Sequence, residues 1–418
     1  MTRRSGNIPT ETEASPAPKR QQIWKNRSDQ ETIWQHREHD QALRLSWRCN
    51  AYDLAKRVDL PLSGSAKAIR AMITIAADAV LSARHDPMRR ISYSRRNGWW
   101  HESRRYRDRD FTYYNVVPAI DALLDAGLLV EHDLQPAGRP TGIQSSYRPA
   151  PWLAEVTLPE LRHERGEVIR LKDAEGHLID YRDNERTRRD RAMLAKINRS
   201  LSEAEIGLDI PAAVRDGNAI RLDGYSVFPG MTSLYRVYNG AWDRGGRFYG
   251  GWWQSCRKAH RQHLTIDGYA TVELDYPQIH PRLLYGLAGR HLEGDAYTLP
   301  GWERAVVKQA FNALLNADSY RGACGAVAEN LDDDRNAAKA LIADIRTRHL
   351  DIDVYFHSGI GLRLQNIDSE ICRQVLAEMH RKGIVALPIH DSFVVARQHE
   401  NTLSEVMETV FKKVVRTA

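Results

Sequence analysis

Two aspartates stand out because each sits where an apolar run breaks. Asp275 closes the strand-like Val272-Glu273-Leu274 at the head of VELDYPQIHPRLLY, and Asp391 lies in the His390-Asp391-Ser392 turn of LPIHDSFVV. A carboxylate at the end of an apolar strand loses hydration, a cost that a cation or a hydrogen bond must offset. Delivered by neighbouring strands, the two would make a site for two magnesium ions about 4 Å apart, with manganese as a substitute. That arrangement stabilises the attacking and leaving oxygens of an in-line phosphoryl transfer. The backbone carbonyl of Tyr276 is a further candidate ligand. Between the two aspartates in sequence, RAVVKQAFNALLNA sets Arg304 and Lys308 one helical turn apart on one face, where they can hold the phosphates of a nucleoside triphosphate. Positive charge there offsets the charge developing on the leaving pyrophosphate, and Lys308 can also protonate it. Asn312 and Asn316, the next turns of that helix, bring amides able to read a sugar or a base edge. His390, in the same turn as Asp391, is a candidate contact for a substrate phosphate.

The elements that must position these residues follow from hydrophobic period. The segment before Asp275 reads as a strand turning into a helix, and LPIHDSFVV as a strand, a tight turn and a second strand. Upstream, Ser65 to His85 places Ile69, Met72, Ile73, Ala76 and Val80 on one helical stripe. A second helix runs from Thr112 to about Gly127. LLVEHDLQPAGRPTGIQSSYRPA follows as strand, turn and returning strand, with Arg139 at its tip. Glu167 to Tyr181 reads as another hairpin. Asp183 to Leu201 reads as a charged helix whose arginines could grip a duplex backbone. The expected class is α+β, divided into a polar arm (1–40), a DNA-binding domain (41–155), a hairpin and charged helix (156–230) and a catalytic region (231–418).

Composition narrows the functional classes. The chain has 418 residues, of which 42% are hydrophobic, enough for more than one packed core. Its apolar runs are too short to span a bilayer and its N-terminus has no apolar leader, so a cytoplasmic location without membrane contact is expected. Four scattered cysteines suggest neither a zinc knuckle nor a disulfide framework. The net charge of +6 is mild, but nine arginines crowd between Arg84 and Arg109 against three acids, interleaved with Tyr93, Trp99, Trp100 and Tyr106. Such a stretch predicts a phosphate-binding surface, with Arg95, Arg96, Arg104, Arg105 and Arg107 as DNA contacts alongside Arg139.

The three blocks together resemble the palm and fingers of the A-family DNA polymerases and the related single-subunit phage-type RNA polymerases. DYPQIHPR matches the family's DYSQIELR at Asp275, Tyr276, Gln278, Ile279 and Arg282, with Pro277 and His280 as departures. The fingers helix RxxxKxxxFxxxYG is matched at Arg304 and Lys308, but Asn312 replaces its aromatic and Asn316-Ala317 its Tyr-Gly. His390-Asp391-Ser392-Phe393 looks like the HDSF of the RNA polymerases. LEGDAYTLPGW around Asp295 is similar to an acidic segment of the family. GLRLQNIDSEICRQVL is similar to its QGxxADI helix, with Gln365 and Glu370 at matching spacing. HRQHLTIDGYATVELDY places Arg261 near the family's arginine ahead of the palm strand. The likeness runs from about Arg261 to Val395.

The resemblance implies a right-hand palm with an antiparallel sheet and helical fingers. It implies that Gln278 and His280 join the nucleotide site, and that Gln365, Arg261 and Arg282 touch primer or template. His280 stands where the DNA polymerases carry a glutamate that crowds a 2′-hydroxyl. No exonuclease pattern occurs in residues 1–200, and no full-sized thumb follows. The helix, helix and hairpin of 41–155 resemble a winged helix-turn-helix. The expected function is therefore a small DNA polymerase without proofreading, acting on DNA and nucleoside triphosphates for a plasmid, phage or mobile element. A primase or small RNA polymerase is one alternative, and a non-catalytic DNA-binding protein with a vestigial palm is the other. The segment RGGRFYGGWWQSCRK from Arg244 is expected to divide its aromatics between base stacking and core.

Overall fold

A computed structural model describes residues 41–86, 88–101, 104–106, 110–135, 144–159, 161–164, 166–211, 213–216, 218–222 and 225–417. The chain forms two compact units. The first comprises the chain up to Leu45, Ala55–Trp99 and Tyr113–Val156; the second comprises Ser46–Leu54, Trp100–Thr112 and Thr157–Ala418. The arginine-rich stretch is thus divided between them. The hairpin and charged helix expected at 156–230 as a separate region belong to the same unit as the residues that follow.

In the first unit, β1 (Gln41–Ala42), α1 (Ala66–His85), β2 (Ile91–Tyr93), α2 (Tyr113–Asp125), β3 (Leu129–Asp133) and β4 (Ser145–Pro149) follow in chain order. The sheet order is β1-β2-β4-β3, with β1 parallel to β2 and the other pairings antiparallel. Ser65 caps α1 by accepting the Ala68 N–H at 3.3 Å. The apolar stripe of α1 is buried with Val116, Ile120 and Leu123 of α2 and with Ile91 and Tyr147 of the sheet. Arg44 reaches the buried Asp78 at 2.6 Å.

The second unit holds β5 (Ile169–Lys172), α3 (Glu185–Glu203), β6 (Ile206–Leu208), β7 (Tyr235–Asn239), β8 (Ala241–Tyr249), β9 (Leu264–Ile266), β10 (Tyr269–Asp275), α4 (Ile279–Leu287), α5 (Arg304–Asn316), α6 (Tyr320–Glu329), α7 (Arg335–Arg348), α8 (Gly361–Arg381), β11 (Leu387–Ile389), β12 (Ser392–Ala396) and α9 (Glu400–Thr417). Its larger sheet has the order β11-β12-β10-β9-β6 with every pairing antiparallel. A second sheet, β8-β7-β5, joins a hairpin to one parallel strand. Leu194, Ile197 and Leu201 of α3, Phe311 of α5, Ile371 and Val375 of α8 and Phe393 of β12 belong to one continuous apolar core.

Polar groups fix how α3 and α8 approach the β7–β8 hairpin. Arg236, fully buried on β7, pairs with the equally buried Asp190 of α3 at 2.6 Å and reaches Ser369 of α8 at 3.0 Å. Asn366 and Ser369 of α8 both donate to the Gly245 carbonyl at 3.1 Å. Gly245 and Gly246 adopt φ of 68° and 89°. A Cβ on Gly246 would lie 2.8 Å from both the Ser369 hydroxyl and the Tyr238 ring. The glycine pair therefore serves close packing of α8 on β8. Phe248, Trp252 and Trp253 are core residues, as expected for at least one of that segment's aromatics.

Candidate active site

The register of the larger sheet brings the two aspartates together. Asp275 is the last residue of β10 and its Cα partner is Ser392, the first residue of β12. Asp391 is the residue before, in the two-residue connection between the paired Ile389 and Ser392. The Tyr276 N–H donates to the Asp391 carbonyl at 3.4 Å. Period-two alternation puts Glu273 on the face of β10 that carries Asp275. There Glu273 accepts the Ser392 hydroxyl at 2.8 Å and both Nε and Nη2 of Arg261 at 2.9 Å. Burial works to raise the Glu273 carboxyl, but the bonds from Arg261 and Ser392 prevail and hold it below its usual range. Among the described residues, neither Asp275 nor Asp391 takes a side-chain hydrogen bond or an ion pair. The two carboxylates that close the strands are the uncompensated ones.

His390 occupies the left-handed region at φ 57°, tolerable for histidine in a tight connection, and its ring meets Tyr249 edge-on at 6.4 Å. Partial burial and the Arg247 charge lower its pKa. His280, on the first turn of α4, is lowered further, to about 4, by burial and then by Arg247, with Asp391 opposing. It is neutral at physiological pH, and its Nε2 is buried with no hydrogen-bond partner among the described residues. Tyr276 is buried and donates its hydroxyl to the Met407 carbonyl at 2.7 Å. That leaves its backbone to serve the strand end.

Helix α5 presents Arg304 and Lys308 as expected from their spacing. Val307, Ala310, Phe311, Leu314 and Leu315 take its buried side, and both cations are exposed. Among the described residues the Lys308 ammonium has no ion-pair partner. Arg304 pairs with Asp295 at 2.5 Å and stacks over Tyr297 at 5.3 Å. Tyr297 feels the charges of both Arg304 and Asp391, so the start of α5 and the Asp391 tip lie within electrostatic range of one ring. The loop carrying Asp295 is tied down from both sides. Buried His349 bridges the Tyr285 hydroxyl and the Ala296 carbonyl at 3.0 and 2.9 Å, and Gln278 accepts the Ala296 N–H at 2.6 Å.

Several residues expected to contact nucleotide, primer or template make contacts within the fold. The Gln278 carbonyl holds the Asp295 loop. Arg282 stacks over Phe411 of α9 at 4.1 Å. Arg261 is locked bidentately on Glu273. Asn316 turns back to donate to the Asn312 carbonyl at 2.8 Å and abuts Gly361, so its amide does not extend the face of Lys308. Asn312 and Gln365 stay partly exposed.

The arginine run likewise pairs internally. Arg84 donates to the Val156 carbonyl at 2.7 Å, and Arg90 pairs with Asp133 at 2.7 Å. Arg95 grips Asp121 at 2.6 and 3.0 Å. Arg105, in the second unit, bonds the Tyr181 carbonyl at 2.8 Å and stacks on that ring at 4.2 Å. Arg96 is exposed. Arg104 lies in a single 3₁₀ turn, and Arg107 and Arg139 fall outside the described residues. On the charged helix, Arg191 is paired with Glu167 and Asp183, and Arg186 with Asn366.

Sequence reasoning missed two neighbours of the carboxylates. Asp368 of α8, 2% exposed, pairs with Arg247 of β8 at 3.0 Å. Burial raises its carboxyl to about 6 against the pull of Arg247, with Asp391 adding to the rise. Its place three residues after Gln365 was readable; its burial was not. Among the described residues no group of three or more His, Cys, Asp or Glu side chains could hold a metal ion, and no helix is long and apolar enough to cross a membrane. No protein-family model matches the chain, and no curated protein matches it.

Proposed function

We propose that the second unit is a template-directed nucleotidyltransferase, a small DNA polymerase without proofreading whose reaction centre lies at Asp275 and Asp391. The observation that carries this reading is the pair of uncompensated carboxylates at adjoining strand ends. Asp275 is exposed and Asp391 half-buried, so water can reach both, and two carboxylates converging at one solvent-reachable sheet edge offer the oxygen donors that a hydrated divalent cation takes. The donors fit magnesium, which prefers oxygen ligands and takes only one or two carboxylates, completing its shell with water and substrate phosphate. Asp275, Asp391 and the Tyr276 carbonyl would hold it. When bound, it supplies Lewis-acid stabilisation to the oxygens of the transferring phosphoryl group.

The chain's own residues then have definite tasks. Lys308 and Arg304 bind the triphosphate from one edge of α5 and offset charge on the departing pyrophosphate. Arg304 must exchange Asp295 for phosphate, a small cost for an exposed pair. Gln278 and His349 keep the Asp295 loop in register, and His390 lies beside Asp391 at the primer side. Element order in the first unit, with α1, β2, α2 and the β3–β4 hairpin, resembles a winged helix-turn-helix and supports attachment to DNA. Arg95 is paired with Asp121, while Arg96 beside it is exposed and can meet a phosphate.

A second reading, RNA synthesis, is favoured by one observation: the buried Nε2 of neutral His280 lacks a partner, and an imidazole nitrogen can bond a 2′-hydroxyl. Purified chain incubated with primed or unprimed template, magnesium and labelled dNTPs or rNTPs tests both. Extension with dNTPs that is lost in Asp275→Ala and Asp391→Ala supports the polymerase. A preference for rNTPs without primer supports the primase reading. Absence of incorporation with intact DNA binding points to a non-catalytic replication protein.

A further inference from the structure

Arg247 of β8 and Asp391 both act on Asp368, yet although Asp391 has no side-chain partner among the described residues, Arg247 pairs with Asp368 instead. Its Nε and Nη2 both reach one oxygen of Asp368, at 3.1 and 3.0 Å. The charge of Arg247 acts on His280, His390 and Cys372, and the charge of Asp391 acts on the same three groups. Asp391 also acts on Asp368 itself. Tyr249, two residues along β8 from Arg247, meets the ring of His390, the neighbour of Asp391, at 6.4 Å, so the guanidinium and Asp391 share one neighbourhood. An untethered arginine there would swing onto the nearest unpaired carboxylate.

Asp368 has no evident task in holding the helix. Asn366 and Ser369 already fasten α8 to the Gly245 carbonyl, and Ser369 also receives Arg236. Burying a carboxylate for one ion pair is costly in the interior, and an apolar residue would usually serve packing as well. The cost is explained if the pair restrains the guanidinium.

Resting on the nucleotidyltransferase reading, we propose that Asp368 is a positioning residue that holds Arg247 off Asp391, keeping the metal-binding carboxylates open while retaining a positive charge next to them. Without it, Arg247 collapses onto Asp391 and competes with the divalent cation.

The test is manganese binding to the full chain without nucleotide, followed by electron paramagnetic resonance, with incorporation assayed in parallel. Asp368→Asn should weaken manganese binding about tenfold while the thermal midpoint stays within a few degrees, and should raise the magnesium needed for half-maximal incorporation by a similar factor. Replacing Arg247 as well, in Asp368→Asn/Arg247→Gln, should restore manganese affinity, because the competitor is gone. An Asp368→Asn chain that binds manganese like the parent overturns the proposal while leaving the polymerase reading intact. So does a double variant as weak as the single one, since that is the signature of a merely structural role. Should the Asn variant fail to fold, Asp368→Glu, which keeps the charge, must retain parental affinity or the proposal falls. A parent that neither binds manganese nor incorporates nucleotide removes the polymerase reading and this inference with it.

Discussion

In the stretch from Arg84 to Arg105, positive charge is dense in sequence but largely answered in space: Arg84 by the Val156 carbonyl, Arg90 by Asp133, Arg95 by Asp121, Arg105 by the Tyr181 carbonyl and Glu167. At the tips of β10 and β12 the situation is reversed. Two acids close the strands, and among the described residues neither has a side-chain partner, while Glu273, two residues upstream, has two. Charge density is thus a weaker pointer to function than uncompensated charge, because each pair formed inside the fold removes a group from the supply available to a ligand.

This contrast can be broken experimentally, most severely at the strand tips. Asp391→Ala should lower nucleotide incorporation by at least about 10⁴-fold, roughly 5 kcal/mol of transition-state stabilisation. Its thermal midpoint should stay level or rise, since no native pair is lost. A variant within tenfold of the parent in primer extension would remove Asp391 from the centre.

The buried Asp190 should show the opposite signature. Asp190→Ala leaves Arg236 charged and unpaired in the core, so denaturant unfolding should reveal a loss of about 3 to 5 kcal/mol. A loss below 1 kcal/mol would mean that the pair does not anchor α3 to β7.

Asp368 offers a pH-dependent comparison. Its folded carboxyl is raised to about 6 by burial, above the ordinary carboxylate value, so its contribution to stability is fully present below the unfolded pKa. That contribution is lost as pH rises from about 4 to about 6, by up to about 3 kcal/mol. The stability of the parent relative to Asp368→Asn, followed by chemical denaturation, should therefore fall across this window. A flat difference would show that Arg247 fully offsets burial, and one that rises with pH that it outweighs it.

The smallest effects belong to the arginine run. Arg95→Ala should cost less than about 1 kcal/mol of stability, as expected for a partly exposed pair, and should leave the salt dependence of DNA binding unchanged. Arg96→Ala should leave stability alone and reduce the slope of log K against log salt by roughly 0.9. If the two variants exchange these behaviours, the pairing of Arg95 does not persist on DNA.

Much of the local structure was legible. Helix α1, the α5 face bearing Arg304 and Lys308, and the β11–β12 hairpin all follow from period and turn chemistry, which are properties of neighbouring residues. The positions of Arg95, Arg105, Arg261 and Arg282 did not follow, since each depends on a partner brought up by the tertiary fold or by a separate element. The glycine pair Gly245-Gly246 was visible as a signal of close approach, but whether a ligand or a helix approaches is not written in the local sequence.

What the sequence determined by itself is which groups exist and which face of its own element each occupies: Asp275 after an alternating strand, Asp391 in a two-residue connection, Lys308 one turn from Arg304. Tertiary structure decided which of them would meet and which would be neutralised. Register across β10 and β12 brings the two aspartates side by side, and the docking of α8 on β8 buries Asp368 against Arg247. The physical reason is range. Secondary structure is set by interactions over a few residues, whereas the energy of a charge depends on everything within several ångströms, contributed here by segments more than a hundred residues apart.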